Sequence, residues 1–232
     1  MVRPLAIVFD FDGVLADTEP LHLCATRQVL AEIGVELTDS DYYGRYLGYD
    51  DPTMFTRIGI DCGLDVSDRQ RAELAQRKAD LMPGLLSQPG VLFPSAASCV
   101  RRLSRDVPLA IASGALRREI ELVIDVAGLR HCFDCIVAGG DTPQGKPSPD
   151  PYVRALSLLR RAGRLPADDD AAGRSVAIED SLHGLASARA AGLRCVAVTT
   201  SYPADRLASA DLVVADLASL DLDALSALIA RA

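Results

Sequence analysis

The chain has no tryptophan, only three histidines, and few aromatic residues of any kind, which make up 5% of its 232 residues. Positive charge is also scarce, since 24 lysines and arginines face 32 aspartates and glutamates, which gives a net charge of −8. An acidic chain of this kind is poorly suited to bind nucleic acid or an anionic membrane surface. A small anionic substrate is still compatible with it, because a metal ion and one lysine can reverse the field locally.

Long apolar runs are missing too. No stretch is long enough to span a bilayer, and the N-terminus has no basic-then-apolar leader, so we expect a cytoplasmic protein. The six cysteines are scattered without the spacing of a disulfide or zinc framework. Cys132 and Cys135 form a nominal C-x-x-C pair, but no second ligand pair accompanies them. We therefore expect both to be buried as small apolar residues.

The sequence does contain a short apolar run, residues 5–9, that is followed directly by Asp10, Asp12 and Gly13. Such a run is typical of a strand that is buried on both faces of a parallel sheet. Side chains alternate along a strand, so Asp10 and Asp12 point the same way. Two adjacent carboxylates repel each other, and they need a bound cation, a shared proton or exposure to water. A solvated turn is the alternative interpretation.

The chain contains two regions with different patterns of apolar residues. Residues 18–86 lack a β-branched strand pattern and show helical spacing instead, whereas strand and helix patterns alternate from residue 89 onwards. The alternation predicts an α/β fold, a doubly wound (Rossmann-like) parallel sheet core with an inserted α-helical cap domain. The predicted core comprises residues 1–16 and 88–232, and the predicted cap comprises residues 17–87. After the first strand, we expect strands at 109–112, 135–138, 175–178, 195–198 and 212–214.

Three further polar motifs fall at or just after the ends of predicted strands: Ala112-Ser113-Gly114, Gly145-Lys146-Pro147 and Ile178-Glu179-Asp180-Ser181. Doubly wound sheets bind their ligands at this edge. The Ser113 hydroxyl and nearby amides could hold a phosphate, and a lysine could neutralise it. Four carboxylates are predicted at this edge, those of Asp10, Asp12, Glu179 and Asp180. They need a cation to offset their mutual repulsion, and Mg²⁺ prefers oxygen ligands.

Taken in order, the four motifs resemble those of the haloacid dehalogenase superfamily of aspartate-nucleophile phosphatases and phosphomutases. The chain is most similar to members with a small helical cap, the β-phosphoglucomutase-like and phosphoglycolate-phosphatase-like enzymes, over essentially its whole length. The resemblance implies that Asp10 is the nucleophile, which forms an aspartyl-phosphate, and that Asp12 is the general acid and base. It implies catalytic roles for Ser113 and Lys146 as well. The implied Mg²⁺ ligands are Asp10, the backbone carbonyl of Asp12, Asp180 and, directly or through water, Glu179.

The resemblance also implies a set of substrate-binding residues. Thr18 and Glu19 belong to the hinge of the cap, and His22 matches a histidine that shuttles a proton and positions the sugar. An ordinary surface histidine is the competing interpretation of His22. Gly114 and Arg117 complete the set beside the motif serine.

The chain departs from the phosphomutases at two places. The mutase cap loop carries an arginine that binds a second phosphate, whereas the comparable residues 47–52 are acidic here. An acidic loop repels a dianion unless Arg45 or Arg57 takes the place of that arginine. Leu116 stands where the mutases have a lysine. We therefore predict a monomeric Mg²⁺-dependent phosphatase of a small phosphorylated metabolite, either a sugar phosphate or a phosphoglycolate-like compound. The alternatives are a hexose phosphomutase, a non-catalytic phosphosugar-binding protein and, as a different reaction class that needs no metal, a haloacid dehalogenase.

Overall fold

The structure is a computed structural model that describes residues 3–47, 49, 51–64 and 66–230, apart from the side chain of Asp169. The chain divides into two compact units. The larger unit comprises Met1–Asp17 and Pro89–Ala232, and the smaller unit comprises Thr18–Gln88. Both boundaries lie one residue further along the chain than the boundaries predicted from the sequence.

The larger unit is built on a six-stranded sheet in which all neighbouring strands are parallel. Its spatial order is β3-β2-β1-β4-β5-β6, so the direction of winding reverses between β1 and β4. This confirms the predicted α/β fold with a doubly wound parallel sheet. The strands are β1 (Ile7–Phe9), β2 (Leu109–Ala112), β3 (Cys135–Val137), β4 (Val176–Glu179), β5 (Arg194–Val198) and β6 (Leu212–Val214).

Burial explains why the central strands read as continuous apolar runs. Every residue of β1, β2 and β4 is buried, because helices cover both faces of the sheet. On one face, small side chains such as Ala110 and Ala177 leave room for the ring of Tyr152 and for Leu185. The helices of this unit are α5 (Ala96–Leu103), α6 (Arg117–Val126), α7 (Asp150–Arg161), α8 (Leu182–Ala190) and α9 (Leu222–Ala230).

The smaller unit is helical, and no strand occurs among its described residues. Its apolar core includes Leu30, Tyr42, Met54 and Phe55. Sequence signals account for two of the helix starts: a proline lies in the first turn of the first helix, and a serine capping box opens the last. The helices are α1 (Glu19–Ala31), α2 (Asp39–Asp41), a π-helical turn (Tyr42–Tyr46), α3 (Asp51–Asp61) and α4 (Asp68–Leu86).

Within the described part of the chain, no helix combines the length and the apolar composition that a bilayer crossing requires.

Candidate active site

The candidate active site of the larger unit lies where the winding of the sheet reverses. Asp10 directly follows β1, and its backbone N–H donates to the Ile178 carbonyl of β4 at 2.9 Å. Glu179 ends β4 and Asp180 follows it. One carboxylate oxygen from each of Asp10, Glu179 and Asp180 lies within 4.8 Å of the others. Parallel pairing of adjacent strands therefore brings together carboxylates that are about 170 residues apart in sequence.

All three carboxylates are buried, with residue exposures of 8% for Asp10, 0% for Glu179 and 5% for Asp180. Two glycines make room for them. Gly13 has a φ of +74°, and a Cβ on it would lie 1.9 Å from Asp180 Oδ2. Gly184, in the first turn of α8, would place a Cβ 1.9–2.1 Å from the carboxyl atoms of Glu179. No larger residue fits at either position without moving a carboxylate.

Lys146 supplies the positive charge of the cluster. Its Nζ lies 3.0 Å from Asp10 Oδ1 and donates to Glu179 Oε1 at 2.5 Å, and its side chain is only 12% exposed. Burial alone would lower the pKa of this ammonium, but the charges of Asp10 and Glu179 outweigh burial and raise the pKa above its usual value. Lys146 is therefore charged at neutral pH.

Glu179 is held from several sides. The hydroxyl of the fully buried Tyr152 donates to Oε1 at 2.5 Å, and the hydroxyl of Ser181 donates to Oε2 at 3.3 Å. Tyr152 is not among the site residues predicted from the sequence, because an aromatic residue in an amphipathic helix is usually part of the core. Its position in the first turn of the helix that follows the Lys146 loop is a signal that could have identified it.

Negative charge exceeds positive charge in this cluster. Burial, and then the charge of Asp10, raises the pKa of Asp180 to about 6, and the same two causes raise the pKa of Glu179. Three carboxylates facing one ammonium leave an excess that a divalent cation would neutralise. The donors are all oxygen atoms, which suits Mg²⁺. The residues present therefore fit the predicted metal.

Asp12 and Ser113 lie at the same edge of the sheet. Asp12 is half-buried, in the loop after β1, where it forms an isolated bridge with Ala16. Ser113 directly follows β2 and is 3% exposed, and its Oγ accepts a hydrogen bond from the N–H of Ala115 at 3.0 Å. Gly114 packs against the loop after β3. The β2 loop is thus tightly held, as a phosphate-binding loop requires.

Arg117, predicted to bind substrate, has partners within the larger unit. Its Nη2 donates to Asp141 Oδ2 at 2.5 Å and to the Ile136 carbonyl at 2.9 Å. Both partners belong to β3 and the loop that follows it, so the guanidinium ties α6 to this part of the sheet. Its role towards substrate stays a prediction.

The other predicted substrate-binding residues belong to the smaller unit. Thr18 is buried just before α1, and Glu19 accepts a hydrogen bond from the Tyr42 hydroxyl at 2.5 Å. His22 is half-buried; burial, followed by the charge of Lys78, lowers its pKa to about 4. The imidazole is therefore neutral at physiological pH. His183, in contrast, lies on the exposed side of α8 in the larger unit.

The acidic loop at residues 47–52 is described only in part, because Gly48 and Asp50 lie outside the described residues. Asp51 forms a salt bridge with the buried Lys78 of α4. Arg45 pairs with Asp61 at 2.6 Å. The Arg57 guanidinium lies 4.5 Å from the centroid of the Tyr49 ring.

The C-x-x-C cysteines behave as small core residues. Both thiols are free; Cys132 is buried and Cys135 half-buried. Burial raises the pKa of Cys135 to about 11, which keeps its thiol protonated.

Comparison with known proteins agrees with this geometry. The family model for haloacid dehalogenase-like hydrolases matches residues 7–198. Protein CbbY of Cereibacter sphaeroides is 33% identical over 94% of this chain and 97% of its own length. The fructose-1-phosphate phosphatase YqaB of Escherichia coli is 30% identical over 84% of this chain and 97% of its own length. A crystal structure of CbbY from Rhodobacter sphaeroides with xylulose-(1,5)bisphosphate superposes with a TM-score of 0.78 at 29% identity, covering 94% and 96% of the two chains.

The buried carboxylate cluster lies at the switch point of a doubly wound sheet, which is where α/β proteins of this class bind their ligands, and the family match makes the assignment specific. The chain belongs to the haloacid dehalogenase-like hydrolases. The predicted family is therefore confirmed, and the relatives named as phosphatases confirm the prediction of a phosphatase at the level of reaction class.

Proposed function

We propose that this protein is a Mg²⁺-dependent phosphatase that hydrolyses a small sugar phosphate through an aspartyl-phosphate on Asp10. The observation that carries the proposal is the contact of Lys146 with both Asp10 and Glu179, beside Asp180, in a buried cluster with excess negative charge. Phosphoryl transfer needs a nucleophile and neutralisation of the charge on the non-bridging oxygens, and this cluster offers both.

The metal ligands we propose are Asp10, Asp180 and the backbone carbonyl of Asp12, with Glu179 binding directly or through water. When bound, Mg²⁺ would neutralise charge on the phosphoryl oxygens and on the carboxylates. The 3.0 Å contact of Lys146 with Asp10 Oδ1 also places a positive charge beside the proposed nucleophile, where it can offset the charge of the phosphoryl group.

In the first half of the proposed reaction, Ser113 and Lys146 hold the phosphoryl group, and a carboxylate oxygen of Asp10 attacks the phosphorus atom. The bond from phosphorus to the ester oxygen breaks, and Asp12 donates its proton to that oxygen, which releases the alcohol. In the second half, Asp12 takes a proton from a water molecule, which attacks the aspartyl-phosphate and releases inorganic phosphate. Asp10 is thereby regenerated and Asp12 is protonated again.

Substrate selection, on this proposal, involves the smaller unit as a cap that excludes water, with Thr18, Glu19 and His22 as the residues that bind substrate. A neutral His22 offers a ring nitrogen that can accept a hydrogen bond from a sugar hydroxyl. Arg45 and Arg57 are the arginines that could bind a second phosphate, but each contacts another residue of the smaller unit. Arg45 pairs with Asp61, and Arg57 lies over the ring of Tyr49. These contacts favour a substrate with one phosphoryl group, such as the fructose 1-phosphate for which the relative YqaB is named. The bisphosphate bound to CbbY makes a ketose bisphosphate the second candidate.

The test is release of inorganic phosphate from a panel of sugar phosphates, phosphoglycolate and ketose bisphosphates, with Mg²⁺ and with EDTA. We expect Mg²⁺-dependent release from a small group of sugar monophosphates. Glucose 1-phosphate is assayed with and without glucose 1,6-bisphosphate. If glucose 6-phosphate forms only when the bisphosphate is added, and no compound of the panel releases inorganic phosphate, the protein is a phosphomutase.

A further inference from the structure

The loop after β5 reaches the candidate metal site although β5 is not a neighbour of β1. The strand order places β4 between them. Thr200 and Ser201, in the loop after β5, nevertheless contact residues that follow β1 and β4, respectively. The loop therefore spans one whole strand at the carboxyl edge of the sheet.

The two side chains make different contacts. The Thr200 hydroxyl donates to the backbone carbonyl of Gly13, and the Ser201 hydroxyl donates to Oδ2 of Asp180. Gly13 and Asp180 are themselves in close approach, and a Cβ on Gly13 would also lie 3.2 Å from Ser201 Oγ. The loops after three strands thus meet at one point beside the carboxylate cluster.

We propose that Ser201 and Thr200 are positioning residues for the metal site: Ser201 orients the carboxylate of Asp180, and Thr200 fixes the backbone at Gly13. This inference rests on the proposed function, because it assumes that Asp180 and the carbonyl of Asp12 bind Mg²⁺. A hydrogen bond to one oxygen of a carboxylate fixes the plane in which the other oxygen lies, and partners of this kind tune metal affinity.

The contact of Thr200 restrains the backbone around Gly13. The N–H of Gly13 donates to the Ala16 carbonyl at 2.9 Å, and its carbonyl accepts from Thr200, so both polar groups of Gly13 are held. In a trans peptide the carbonyl points opposite to the N–H. The Asp12 carbonyl is therefore directed away from Ala16, and its direction is fixed by the same contacts.

A purely structural role is the competing explanation, since two hydrogen bonds could simply hold an exposed loop in place. Such a role would affect the thermal midpoint of the metal-free protein. A positioning role would instead affect the affinity for Mg²⁺. The two are separated by measuring both quantities on the same variants.

The experiment compares Ser201→Ala, Ser201→Thr and Thr200→Val with the wild-type protein, and Mg²⁺ binding is measured by isothermal titration calorimetry without substrate. The matched control is Ser98→Ala, because the Ser98 hydroxyl donates to the Ser95 carbonyl at 2.9 Å, in a surface helix. We expect Ser201→Ala to raise the Kd for Mg²⁺ about tenfold, the lower end of the effect of losing a partner of a metal ligand. Thr200→Val should raise it by a smaller factor. Ser201→Thr, which keeps the hydroxyl, should restore most of the affinity, and Ser98→Ala should change nothing.

Two results would overturn the inference in distinguishable ways. If the wild-type protein binds Mg²⁺ and Ser201→Ala binds it equally well, only the positioning role is wrong. The same holds if Ser201→Ala lowers the metal-free thermal midpoint while the Kd stays unchanged. If the wild-type protein binds no Mg²⁺ and hydrolyses its substrates equally well in EDTA, the proposed function is wrong, and this inference fails with it.

Discussion

The chain contains only two lysines, one in each compact unit, and the side chains of both are mostly buried beside carboxylates. In the larger unit, Lys146 contacts Asp10 and Glu179 and has Asp180 close by. In the smaller unit, the 4%-exposed side chain of Lys78 forms its salt bridge with Asp51, which is 33% exposed. One lysine thus faces more negative charge than it can balance, whereas the other belongs to a balanced and partly hydrated pair.

The difference shows how a metal site can be told apart from a structural ion pair. A balanced pair needs no further ion, and water can solvate the open side of Asp51. All three carboxylates around Lys146 are buried, so the excess negative charge of the cluster can be neutralised only by protons or by a bound cation. Excess charge together with burial, rather than the number of acidic residues, marks the larger unit's cluster as a cation site.

The largest effect is expected from Asp10→Asn, which removes one negative charge from the cluster and replaces the proposed nucleophile by an amide. Phosphate release should fall by about 10⁴-fold or more, as expected when a nucleophile is lost. The thermal midpoint of the metal-free variant should stay close to that of the wild type, because an uncompensated charge is removed. Steady-state phosphate release and a thermal melt measure the two quantities. Asp106→Asn, in an exposed pair with Arg3, is the matched control. Turnover that survives Asp10→Asn would show that another group attacks phosphorus.

A smaller effect should separate the two lysines directly. Lys146→Met preserves volume but leaves two buried carboxylates facing each other, and loss of one partner of a buried pair costs about 3–5 kcal/mol. Lys78→Met leaves one carboxylate that water can reach, so we expect a loss of about 1 kcal/mol. Denaturant unfolding of the metal-free proteins measures both losses. Relative to the wild type in the same Mg²⁺ concentration, the loss caused by Lys146→Met should become smaller, whereas the loss caused by Lys78→Met should stay the same, because that variant keeps the metal site intact. Equal losses without any Mg²⁺ effect would contradict the contrast between the two sites.

The smallest effect concerns pH. The pKa of Asp180 is raised to about 6 in the folded protein, so the folded state binds a proton more tightly than the unfolded state. The stability that this group contributes is complete below its ordinary pKa of 3.8 and is lost as the pH rises through about 6. Metal ligands must be deprotonated, so Mg²⁺ should bind weakly at pH 5 and tightly at pH 8.

Thermal melts at pH 5 and pH 8, each with and without Mg²⁺, test this sign. We expect Mg²⁺ to raise the midpoint by several degrees at pH 8 and by little at pH 5. Asp180→Asn is the control, since its amide does not titrate and its response to Mg²⁺ should be weak at both values. An equal stabilisation of the wild type at pH 5 and pH 8 would contradict the prediction.

Much of the larger unit could be predicted from local sequence alone. The apolar runs predicted the described strands to within one or two residues at most ends, and the polar residues that follow them were placed at the carboxyl edge. This works because a buried parallel strand must be apolar throughout, so its end is visible where the first charged residue appears. Asp10 and Glu179 carry that local signal, and Asp180 directly follows Glu179.

Contacts distant in sequence could not be predicted in this way. Tyr152 and Glu179 are 27 residues apart, and Ser201 and Asp180 are 21 residues apart. Nothing near Ser201 distinguishes it from an ordinary loop serine, and the only local signal for Tyr152 is its position in the first turn of the helix after the Lys146 loop. The contact between Arg117 and Asp141, which are 24 residues apart, could not be predicted either, and the substrate role of Arg117 stays a prediction.

The sequence by itself therefore determined the family, the order of strands and helices, and which acidic and basic residues reach the edge of the sheet, because these depend on local patterns of burial and charge. The tertiary structure alone decided which strands are neighbours, which hydroxyl groups hold Glu179 and Asp180, and which lysine faces unbalanced charge. The physical reason is that a hydrogen bond or ion pair depends on distances of a few ångströms between side chains. Those distances exist only once the strands have paired and the loops at their ends have packed together.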